Sequence, residues 1–385
     1  MSESSVQRAP VAEAKRVVIK VGTRVLTQTD GRLALTRLFS LVETIAQLKE
    51  SGREVLLVSS GAVGLGRDAL RFERNPTDVA ERQACAAVGQ SRLMELYSHG
   101  FDRLGLVAAQ VLLTEDDFDN RERYLNLGNT LNALLKHGAV PIINENDAIS
   151  TVELAVATRG GRQVFGDNDR LSALVASELG CELLVLLTDV DGVFERDPRT
   201  DPSAKLISCV DDVEGGMAEL SGSGSDAGRG GMRSKFDAAK IAARFGCHAV
   251  IASGVRHGGV ARVLAGDDEG TWFPARGNMK ARHRWIAFAS RPRGVIHVDD
   301  GAVEALVKRN GSLLAAGITH IEGKFVRGDV VEVRGPSGDL VARGLIRVDA
   351  DRYLEWRDGA SEEDLRSFSA VVRSNQLVVL EEFEP

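Results

Sequence analysis

The stretch "RVVIKVGT", residues 16–23, is short, rich in β-branched residues and apolar at most positions. Consecutive apolar positions are typical of a strand that is covered on both faces, as in a parallel sheet. After Arg16 at its start, one charged side chain, Lys20, interrupts the run. A buried lysine costs free energy unless an anion meets it. The stretch therefore predicts a buried strand that brings a cation to the edge of a sheet.

Four more apolar runs follow, separated by helical patterns such as "LALTRLFSLVETIAQLKESG" (33–52) and "YLNLGNTLNALLKHG" (124–138). Alternation of buried strands with helices predicts an α/β fold in which helices sandwich a mostly parallel, open sheet, over residues 15–272. The four runs are "EVLLVSSGA" (54–62), "AVPIINEND" (139–147), "ELLVLLTDVDG" (182–192) and "HAVIASG" (248–254).

Beyond residue 280 short apolar runs alternate with Gly, Pro and Asp turns and carry little helical pattern. This arrangement predicts a small, β-rich, barrel-like C-terminal domain over residues 280–372, joined to the first domain within 273–284. The runs interpreted as strands are "RWIAFAS" (284–290), "GVIHVDD" (294–300), "GDVVEVRG" (328–335) and "VARGLIRVDA" (341–350).

Composition indicates a soluble globular protein of two domains, because 385 residues contain 43% hydrophobic and 27% charged residues. The net charge of -7 argues against a generally basic nucleic-acid-binding protein. The apolar runs are too short to span a membrane, and the polar N-terminus has no signal-peptide core. We therefore expect a disordered lead-in over residues 1–14, a cytoplasmic location and no membrane partner. No C-x-x-C pair suggests a zinc or redox site.

Polar residues stand where each predicted strand ends, and ligands of open α/β sheets bind outside the carboxyl ends of the strands. Each of these residues alone is explained by a turn or a helix cap. Their coincidence at one sheet edge favours a ligand site. They are Lys20, Ser60 with Gly61, the segment 144–147, and Thr188 with Asp189.

The stretch "VFGDNDRLSALVASELG" (164–180) crowds Asn168 and Asp169 in front of a helical pattern. Asn and Asp are ordinary N-cap residues, because their oxygens accept the unpaired amide protons of the first turn. Capping alone therefore explains one of them. The surplus of polar groups suggests contact with a ligand or with a lysine.

The stretch "SGSGSDAGRGGMRSK" (221–235) has the composition of a flexible linker. It lies within the predicted α/β domain and ends in Met232, Arg233, Ser234 and Lys235, ahead of a helical pattern. A mobile glycine segment that delivers a lysine to a helix start can close over phosphates. We therefore interpret it as a phosphate-binding loop.

Lys20 and Lys235, with an Asp to orient them, would form a cationic clamp that contains no histidine base. Such a clamp suits phosphoryl transfer, which needs positioning and neutralisation of charge. A carboxylate acceptor, with a reference pKa of about 4.3 for Glu, is already ionised at neutral pH and needs no general base. It needs relief of charge repulsion, which lysines and Mg²⁺ provide.

Six motifs, in order and at fitting spacings, resemble those of the glutamate 5-kinases (γ-glutamyl kinases), a family of the amino acid kinase superfamily. The resemblance covers about residues 15–260, and "VDDGAVEALVKRNGSLLAAGITHIEGKFVRGDVVEV" (298–333) resembles a PUA domain. It implies transfer of phosphate from ATP to the γ-carboxylate of L-glutamate, giving L-glutamyl 5-phosphate in the first step of proline biosynthesis. The motifs are "VVIKVGTRVL", "LLVSSGAVGLG", "PIINENDAIS", "FGDNDRLSALVA", "LLTDVDGVFERDPR" and "GRGGMRSK".

The resemblance implies catalytic roles for four residues. Lys20 would contact the ATP phosphates, and Lys235 would stabilise the transferring group. Asp169 would orient the two lysines, and Gly61 would offer a backbone amide to the γ-carboxylate or phosphoryl oxygens.

The resemblance also implies two binding sets. Ser60, Asp147 and Asn168 would bind glutamate. Relatives usually carry threonine where Arg229 and Ser234 stand, so this sequence departs from the family pattern at two positions of the loop. The nucleotide set is Lys20, Thr188, Asp189, Arg229, Gly230, Gly231, Met232, Arg233, Ser234 and Lys235.

Further implications are a homo-oligomer and feedback inhibition by proline bound near the glutamate site; Mg²⁺ ligands are not identified. Another amino acid kinase, acting on aspartate, N-acetylglutamate or a nucleotide monophosphate, would share the fold and the lysines. The acidic, amide-rich motifs favour a substrate with a free ammonium group.

RNA binding by the PUA-like domain stays open, since residues 276–293 hold six Lys/Arg and no Asp/Glu. Residues 276–385 as a whole, however, hold 17 basic and 17 acidic residues.

Overall fold

A computed structural model describes residues 8–28, 32–74, 76–149, 168–198, 200–211, 226–277, 279–359 and 370–380, with the backbone alone for 226–230. The chain divides into two compact units. The larger unit ends at residue 278, and the smaller one runs from 279 onward and also takes in residues 118–121. Each unit has a hydrophobic core of its own.

The larger unit is built on a seven-stranded sheet with the order β3-β4-β2-β1-β5-β6-β7. All neighbours are parallel except β6 and β7, which are antiparallel. The predicted mostly parallel α/β sheet is thereby confirmed. The strands are β1 (Arg16–Val21), β2 (Glu54–Ser59), β3 (Ala108–Leu113), β4 (Val140–Glu145), β5 (Leu183–Thr188), β6 (His248–Ser253) and β7 (Thr271–Phe273).

Helices connect these strands, because a parallel pair of strands needs a crossover connection between them. Both faces of the central strands are covered, because Val17, Val18 and Ile19 on consecutive positions of β1 are all inaccessible to solvent. The described helices are α1 (Ala9–Glu13), α2 (Thr23–Leu26), α3 (Leu35–Glu50), α4 (Ala62–Ala69), α5 (Val79–Asp102), α6 (Glu115–Asp119), α7 (Arg121–Lys136), α8 (Asn168–Leu179), α9 (Asp226–Arg244) and α10 (Gly259–Ala265).

The register of the sheet brings the carboxyl ends of the central strands level with one another. Val21 on β1 lies opposite Ser59 on β2 and Leu187 on β5. Thr188, the last residue of β5, lies opposite Ser253. Residues that follow these strands therefore meet at one edge of the sheet.

The smaller unit holds a five-stranded, mostly antiparallel sheet with the order β12-β11-β10-β8-β9, in which β8 and β10 alone run parallel. This confirms the expected β-rich second domain. Its helices are α11 (Ala281–Arg284), α12 (Asp300–Arg309) and α13 (Ala350–Gly359). Its strands are β8 (Gly294–Val298), β9 (Ile318–Gly323), β10 (Val330–Arg334), β11 (Leu340–Leu345) and β12 (Leu377–Val379).

Two interpretations from the sequence are wrong at the local level. The run "RWIAFAS" (284–290) is helical, since α11 continues into a π-helical turn at Trp285–Ala289. Its four consecutive residues 285–288 are buried, and a short apolar run does not distinguish a buried helical turn from a strand.

The lead-in is ordered over residues 8–14, where a disordered segment was expected; residues 1–7 lie outside the described part. Pro10 stands in the first turn of α1, where proline is well tolerated. Arg8 is 3% exposed and forms an ion pair of 2.7 Å with Asp268. Its guanidinium also donates to the backbone oxygen of Ser208 at 2.7 Å, so the segment is fixed by a buried cation.

No helix in the part of the chain that the structure describes is long and apolar enough to cross a membrane.

Candidate active site

Two lysines meet one carboxylate at the edge of the larger sheet. Asp169, the second residue of α8, is fully buried. Its Oδ1 lies 2.6 Å from the Nζ of Lys20 on β1, and its Oδ2 lies 3.0 Å from the Nζ of Lys235 on α9. The structure thus unites three predicted residues that lie far apart in sequence.

Burial makes this arrangement energetically demanding. The side chains of Lys20 and Lys235 are 2% and 10% exposed. Each charge that is removed from water loses roughly several kcal/mol of hydration free energy. Only close, well-formed contacts recover this loss. Two ammonium groups held beside one carboxylate also concentrate positive charge, and this suits an anionic ligand such as a polyphosphate.

The glycine-rich stretch differs from the expected loop. Residues 226–244 form one helix, α9, so Lys235 lies inside a helix and not at its start. Its Nζ also donates to the backbone oxygen of Gly231, one turn earlier, at 3.2 Å. The sequence predicted a loop here because glycine disfavours helices. Residues 221–225 lie outside the described part of the chain.

The predicted nucleotide-binding residues of this stretch fall into different environments. The Ser234 hydroxyl donates to Oδ2 of Asp169 at 2.7 Å, so this side chain belongs to the lysine–carboxylate cluster. Gly231 and Arg233 are exposed, whereas Met232 is half-buried. Only the helical backbone is described for Arg229 and Gly230.

A chain of side-chain hydrogen bonds runs beside the cluster. The Nδ2 of Asn168 donates to the Oγ of Ser60 and to the Oδ1 of Asn144, both at 2.8 Å. The Nδ2 of Asn144 donates in turn to the Oε1 of Gln90 at 2.9 Å. We call Gln90, Asn144 and Asn168 the amide relay. Asn168 and Ser60 were predicted as partners in substrate binding, and the structure places them in contact.

The turn after β2 is held in an unusual backbone conformation. Gly61 has a φ of 110°, a region that favours glycine, and it precedes the first residue of α4. The Ser60 amide donates to the Val21 oxygen at 3.0 Å, which fixes the turn to β1. Behind it, the hydroxyls of Ser59 and Tyr97 lie 2.8 Å apart. Burial raises the pKa of Tyr97 well above its usual range, although the Ser59 hydrogen bond opposes the shift.

The remaining predicted residues lie at the ends of β4 and β5. Asp147 is half-buried, two positions beyond the end of β4. The Thr188 hydroxyl donates to Oδ1 of Asp189 at 3.2 Å. Arg24, which the sequence did not single out, has its Nη1 3.8 Å from Oδ2 of Asp189.

Three residues that lie in or beside the hydrogen-bond network were not predicted from the sequence as site residues: Gln90, Tyr97 and Asn144. Gln90 and Tyr97 lie within α5, far in sequence from the strand ends that form the site. A polar residue within an amphipathic helix is ordinarily interpreted as a solvated position. Asn144 was noticed at a strand end but not assigned a role.

Among the described residues, no group of three or more His, Cys, Asp and Glu side chains is arranged to hold a metal ion.

Comparison with known proteins gives two family matches. Residues 15–253 match the model of the amino acid kinase family, and residues 294–363 match the PUA domain. The chain is 46% identical over 341 residues to the glutamate 5-kinase of Trichlorobacter lovleyi, covering 88% of each chain. It is 41% identical over 377 residues to the glutamate 5-kinase of Caldanaerobacter subterraneus subsp. tengcongensis, covering 96% of this chain and 99% of that one. The solved UMP kinase from Bacillus anthracis aligns with a TM-score of 0.45 at 17% identity, covering 68% of this chain and 96% of that one.

Proposed function

The chain belongs to the amino acid kinase family, among its glutamate 5-kinases, and from that membership we propose how its site works. The reaction is transfer of the γ-phosphoryl group of ATP to the γ-carboxylate of L-glutamate, which yields L-glutamyl 5-phosphate and ADP. This is the first step of proline biosynthesis. The enzyme is thus a phosphotransferase with a carboxyl group as acceptor.

The observation that carries the residue assignments is the buried cluster of Lys20, Asp169 and Lys235. Phosphoryl transfer spreads negative charge over the transferring group, and fixed cations in a water-poor site stabilise that charge. Lys20 contacts the ATP phosphates, and Lys235 stabilises the transferring group. Asp169 holds both ammonium groups in place between turnovers.

Substrate binding falls to groups on the neighbouring strand ends. Ser60 and Asn168 contact the amino acid, and Asp147 meets its ammonium group. The Gly61 amide donates to the γ-carboxylate or to a phosphoryl oxygen. The left-handed φ of this glycine and the helix that starts after it support the assignment, since free amides at helix starts favour anions.

The nucleotide lies along the ends of β1 and β5 and the first half of α9. Thr188 and Asp189 line this pocket. The exposed Arg233 and Gly231 on α9 are available to phosphate or ribose. The other members of this proposed set are Arg229, Gly230, Met232, Ser234 and Lys235.

The bond changes need no general base. A γ-carboxylate oxygen of glutamate forms a bond to the γ-phosphorus of ATP while the bond to the β,γ-bridging oxygen breaks, and ADP leaves with that electron pair. The acceptor is ionised at neutral pH, since the reference pKa of Glu is about 4.3. Lys20 and Lys235 reduce the repulsion between the two anions.

Mg²⁺ enters this scheme with ATP. The described residues offer no preformed cage of metal ligands, and Asp169 is engaged by two lysines. Bound with ATP, Mg²⁺ neutralises charge on the phosphates.

Location, assembly and regulation complete the proposal. The enzyme acts in the cytoplasm as a homo-oligomer and is inhibited by proline bound near the glutamate site. RNA binding through the PUA-like unit is the second candidate, favoured by the match over residues 294–363. Filter binding of tRNA at two salt concentrations tests it, because phosphate contacts weaken steeply with salt.

The activity is tested by an acceptor screen with hydroxylamine present, which converts an acyl phosphate into a coloured hydroxamate. We expect hydroxamate with ATP, Mg²⁺ and L-glutamate, and much less with L-aspartate or N-acetyl-L-glutamate. ADP release is measured in parallel, with UMP as a further acceptor. Preference for any acceptor other than glutamate contradicts the proposal.

A further inference from the structure

We propose that Tyr97 and Ser59 are positioning residues for the Gly61 amide. Their two hydroxyls form a hydrogen-bonded chain to the backbone oxygen of Ser60, and this chain turns the Gly61 N–H group toward the lysine–carboxylate cluster. The inference rests on the proposed phosphorylation of glutamate, in which that amide donates to a reacting oxygen. It adds two side chains that act on the reaction without touching a substrate.

The chain of hydroxyls is buried behind the turn that follows β2. Tyr97 on α5 and Ser59 at the end of β2 are both inaccessible to solvent. Their hydroxyl oxygens lie 2.8 Å apart. The Ser59 hydroxyl also donates to the backbone oxygen of Ser60 at 3.2 Å. Because burial raises the pKa of Tyr97 well above its usual range, the phenol keeps its proton at neutral pH.

The direction of this chain follows from the number of protons. Tyr97 and Ser59 have one hydroxyl proton each, and a backbone oxygen only accepts. Among the described residues, Ser59 is the one hydrogen-bond partner of the Tyr97 hydroxyl. Tyr97 therefore donates to Ser59, and Ser59 donates to Ser60. The opposite direction would leave the buried phenolic proton without an acceptor, which is costly.

The bond to Ser60 fixes the peptide group between Ser60 and Gly61. This group is trans, so its C=O and N–H bonds point in opposite directions. A carbonyl that is held toward Ser59 therefore turns the Gly61 N–H group to the other side. Among the described residues this amide has no acceptor, as is usual where a helix starts. It can therefore donate to a ligand.

That other side is the face of the sheet that carries the lysine–carboxylate cluster. Ser59 lies opposite Val21 in the parallel ladder, and Lys20 precedes Val21 on β1. Because successive side chains of a strand point to opposite faces, Ser59 and Lys20 lie on different faces. The contacts agree, since Ser59 bonds to Tyr97 on α5 and Lys20 pairs with Asp169 on α8. The amide of the turn is thus directed toward the proposed site of transfer.

The glycine permits this orientation but does not fix it. Gly61 has a φ of 110°, and glycine adopts positive and negative φ about equally. The peptide group before it can therefore rotate at little cost. The bond from Ser59 opposes the rotation, because the Ser60 oxygen would leave a buried hydroxyl. A donor that is already aligned needs no reorientation as charge develops on the transferring group.

The test measures kcat and the KM values for glutamate and ATP in the full-length enzyme with Tyr97→Phe, which removes the hydroxyl and keeps the ring. Complete loss of a fixed donor to a reacting oxygen lowers kcat by about 10²–10³. In Tyr97→Phe the donor remains but is less well directed. We therefore expect kcat to fall about tenfold, with both KM values changed by less than about threefold.

Tyr353→Phe is the matched control, because this tyrosine is also buried and lies in the smaller unit. It should leave all three constants unchanged. Thermal melting establishes that each variant is folded. A lower melting temperature with an unchanged kcat in Tyr97→Phe would assign the hydroxyl a structural role only and would contradict the inference.

Substitutions of Ser59 test whether the two hydroxyls act as one chain. Ser59→Ala should lower kcat to a similar degree. The double variant Ser59→Ala/Tyr97→Phe should be no slower than Ser59→Ala, because residues in one hydrogen-bonded chain are not additive. Ser59→Thr retains the hydroxyl and should keep kcat close to that of the unsubstituted enzyme. If Ser59→Thr does not fold, the comparison of the single and double variants decides.

Four outcomes overturn the inference: an unchanged kcat in Tyr97→Phe, a joint change of kcat and both KM values, a double variant slowed by the product of the single effects, or a folded Ser59→Thr as slow as Ser59→Ala. In each of these cases turnover of glutamate by the unsubstituted enzyme leaves the proposed function standing. Absence of that turnover overturns the proposed function and the inference together.

Discussion

Asp169 and Glu332, one in each unit, are both carboxylates that bind two cations. Asp169 lies between Lys20 and Lys235 at 2.6 and 3.0 Å. Glu332 lies between Arg334 and Arg343 at 2.7 and 3.1 Å. The exposed fraction of the carboxylate side chain is 0% for Asp169 and 12% for Glu332. The local chemistry is similar, but the surroundings differ.

The partners of Glu332 are its neighbours in one sheet. Arg343 on β11 lies directly opposite it in the ladder, and Arg334 follows it on β10. Cross-strand pairs of opposite charge stabilise a sheet locally. The partners of Asp169 come from β1 and α9, which are remote in sequence from α8. A carboxylate that gathers distant, buried lysines at a strand edge indicates a reaction site, whereas one that joins adjacent strands indicates a structural pair.

The largest expected effect is that of Asp169→Asn, compared with Glu332→Gln. Removing one partner of a buried ion pair typically costs about 3–5 kcal/mol in the free energy of unfolding, because the cations remain buried. We expect that loss for Asp169→Asn, with kcat reduced by about 10²–10³ or more. Urea denaturation followed by circular dichroism gives the first quantity, and the hydroxamate assay gives the second.

For Glu332→Gln we expect turnover within about twofold of the unsubstituted enzyme. If Glu332→Gln lowered kcat as much as Asp169→Asn, the proposed difference between the two carboxylates would be wrong. Glu332 would then take part in turnover as well as in stability.

The second prediction concerns Lys20→Met, which removes the charge and keeps most of the side-chain volume. Loss of a fixed donor to the transferring group should lower kcat by about 10²–10³. The glutamate KM should change much less, because the amide relay and Ser60 are intact. Lys136→Met, at the exposed end of α7, is the matched control. A kcat near that of the control would show that Lys20 does not act on the phosphoryl group.

The third prediction places Asp147 on the amino-acid side of the site. Loss of one partner of a charge pair costs about 2 kcal/mol at the lower end, or roughly 30-fold. Asp147→Asn should therefore raise the glutamate KM by that factor and leave the ATP KM unchanged. Asp116→Asn, an exposed position on α6, is the control. A raised ATP KM with an unchanged glutamate KM would move Asp147 to the nucleotide pocket.

The comparison of the two carboxylates also shows what the sequence could predict. The five apolar runs became β1, β2, β4, β5 and β6 because strands buried on both faces leave a continuous apolar signal. The strand β3 was missed: it is an edge strand, only partly buried, and Gln110 interrupts it. Its polar and half-buried positions weaken the same signal.

The residues of the site also differ in how strongly the sequence marks them. Lys20 and Asp169 stand out in sequence because a charge within or beside an apolar run is expensive. Gln90 gives no such signal, because a glutamine within a helix is ordinarily solvated. Its place in the amide relay follows only from the distance of 2.9 Å to Asn144, which lies 54 residues away. The start of α9 was misplaced because glycine disfavours helices, and tertiary packing overrode that preference.

The smallest expected effect concerns the pH dependence of the structural pair. Burial opposes ionisation of Glu332, but the hydrogen bonds and charges of Arg334 and Arg343 outweigh it and hold its pKa below the usual value. A lowered pKa in the folded state contributes stability that is present above the ordinary pKa of a glutamate and is lost as pH falls through the folded value. For partly exposed groups this contribution is about 1 kcal/mol.

We therefore expect the protection factors of backbone amides in β10 and β11, measured by hydrogen exchange, to fall as the pH is lowered from neutral to below the ordinary glutamate range. In Glu332→Gln they should be lower at neutral pH and change less on acidification. Amides of β1 are the internal reference, because Glu332 lies in the other unit. An equal loss of protection with acid in Glu332→Gln would assign the pH dependence to other carboxylates. The ion pairs of Glu332 would then contribute negligible free energy to stability, and the contrast with Asp169 would be greater still.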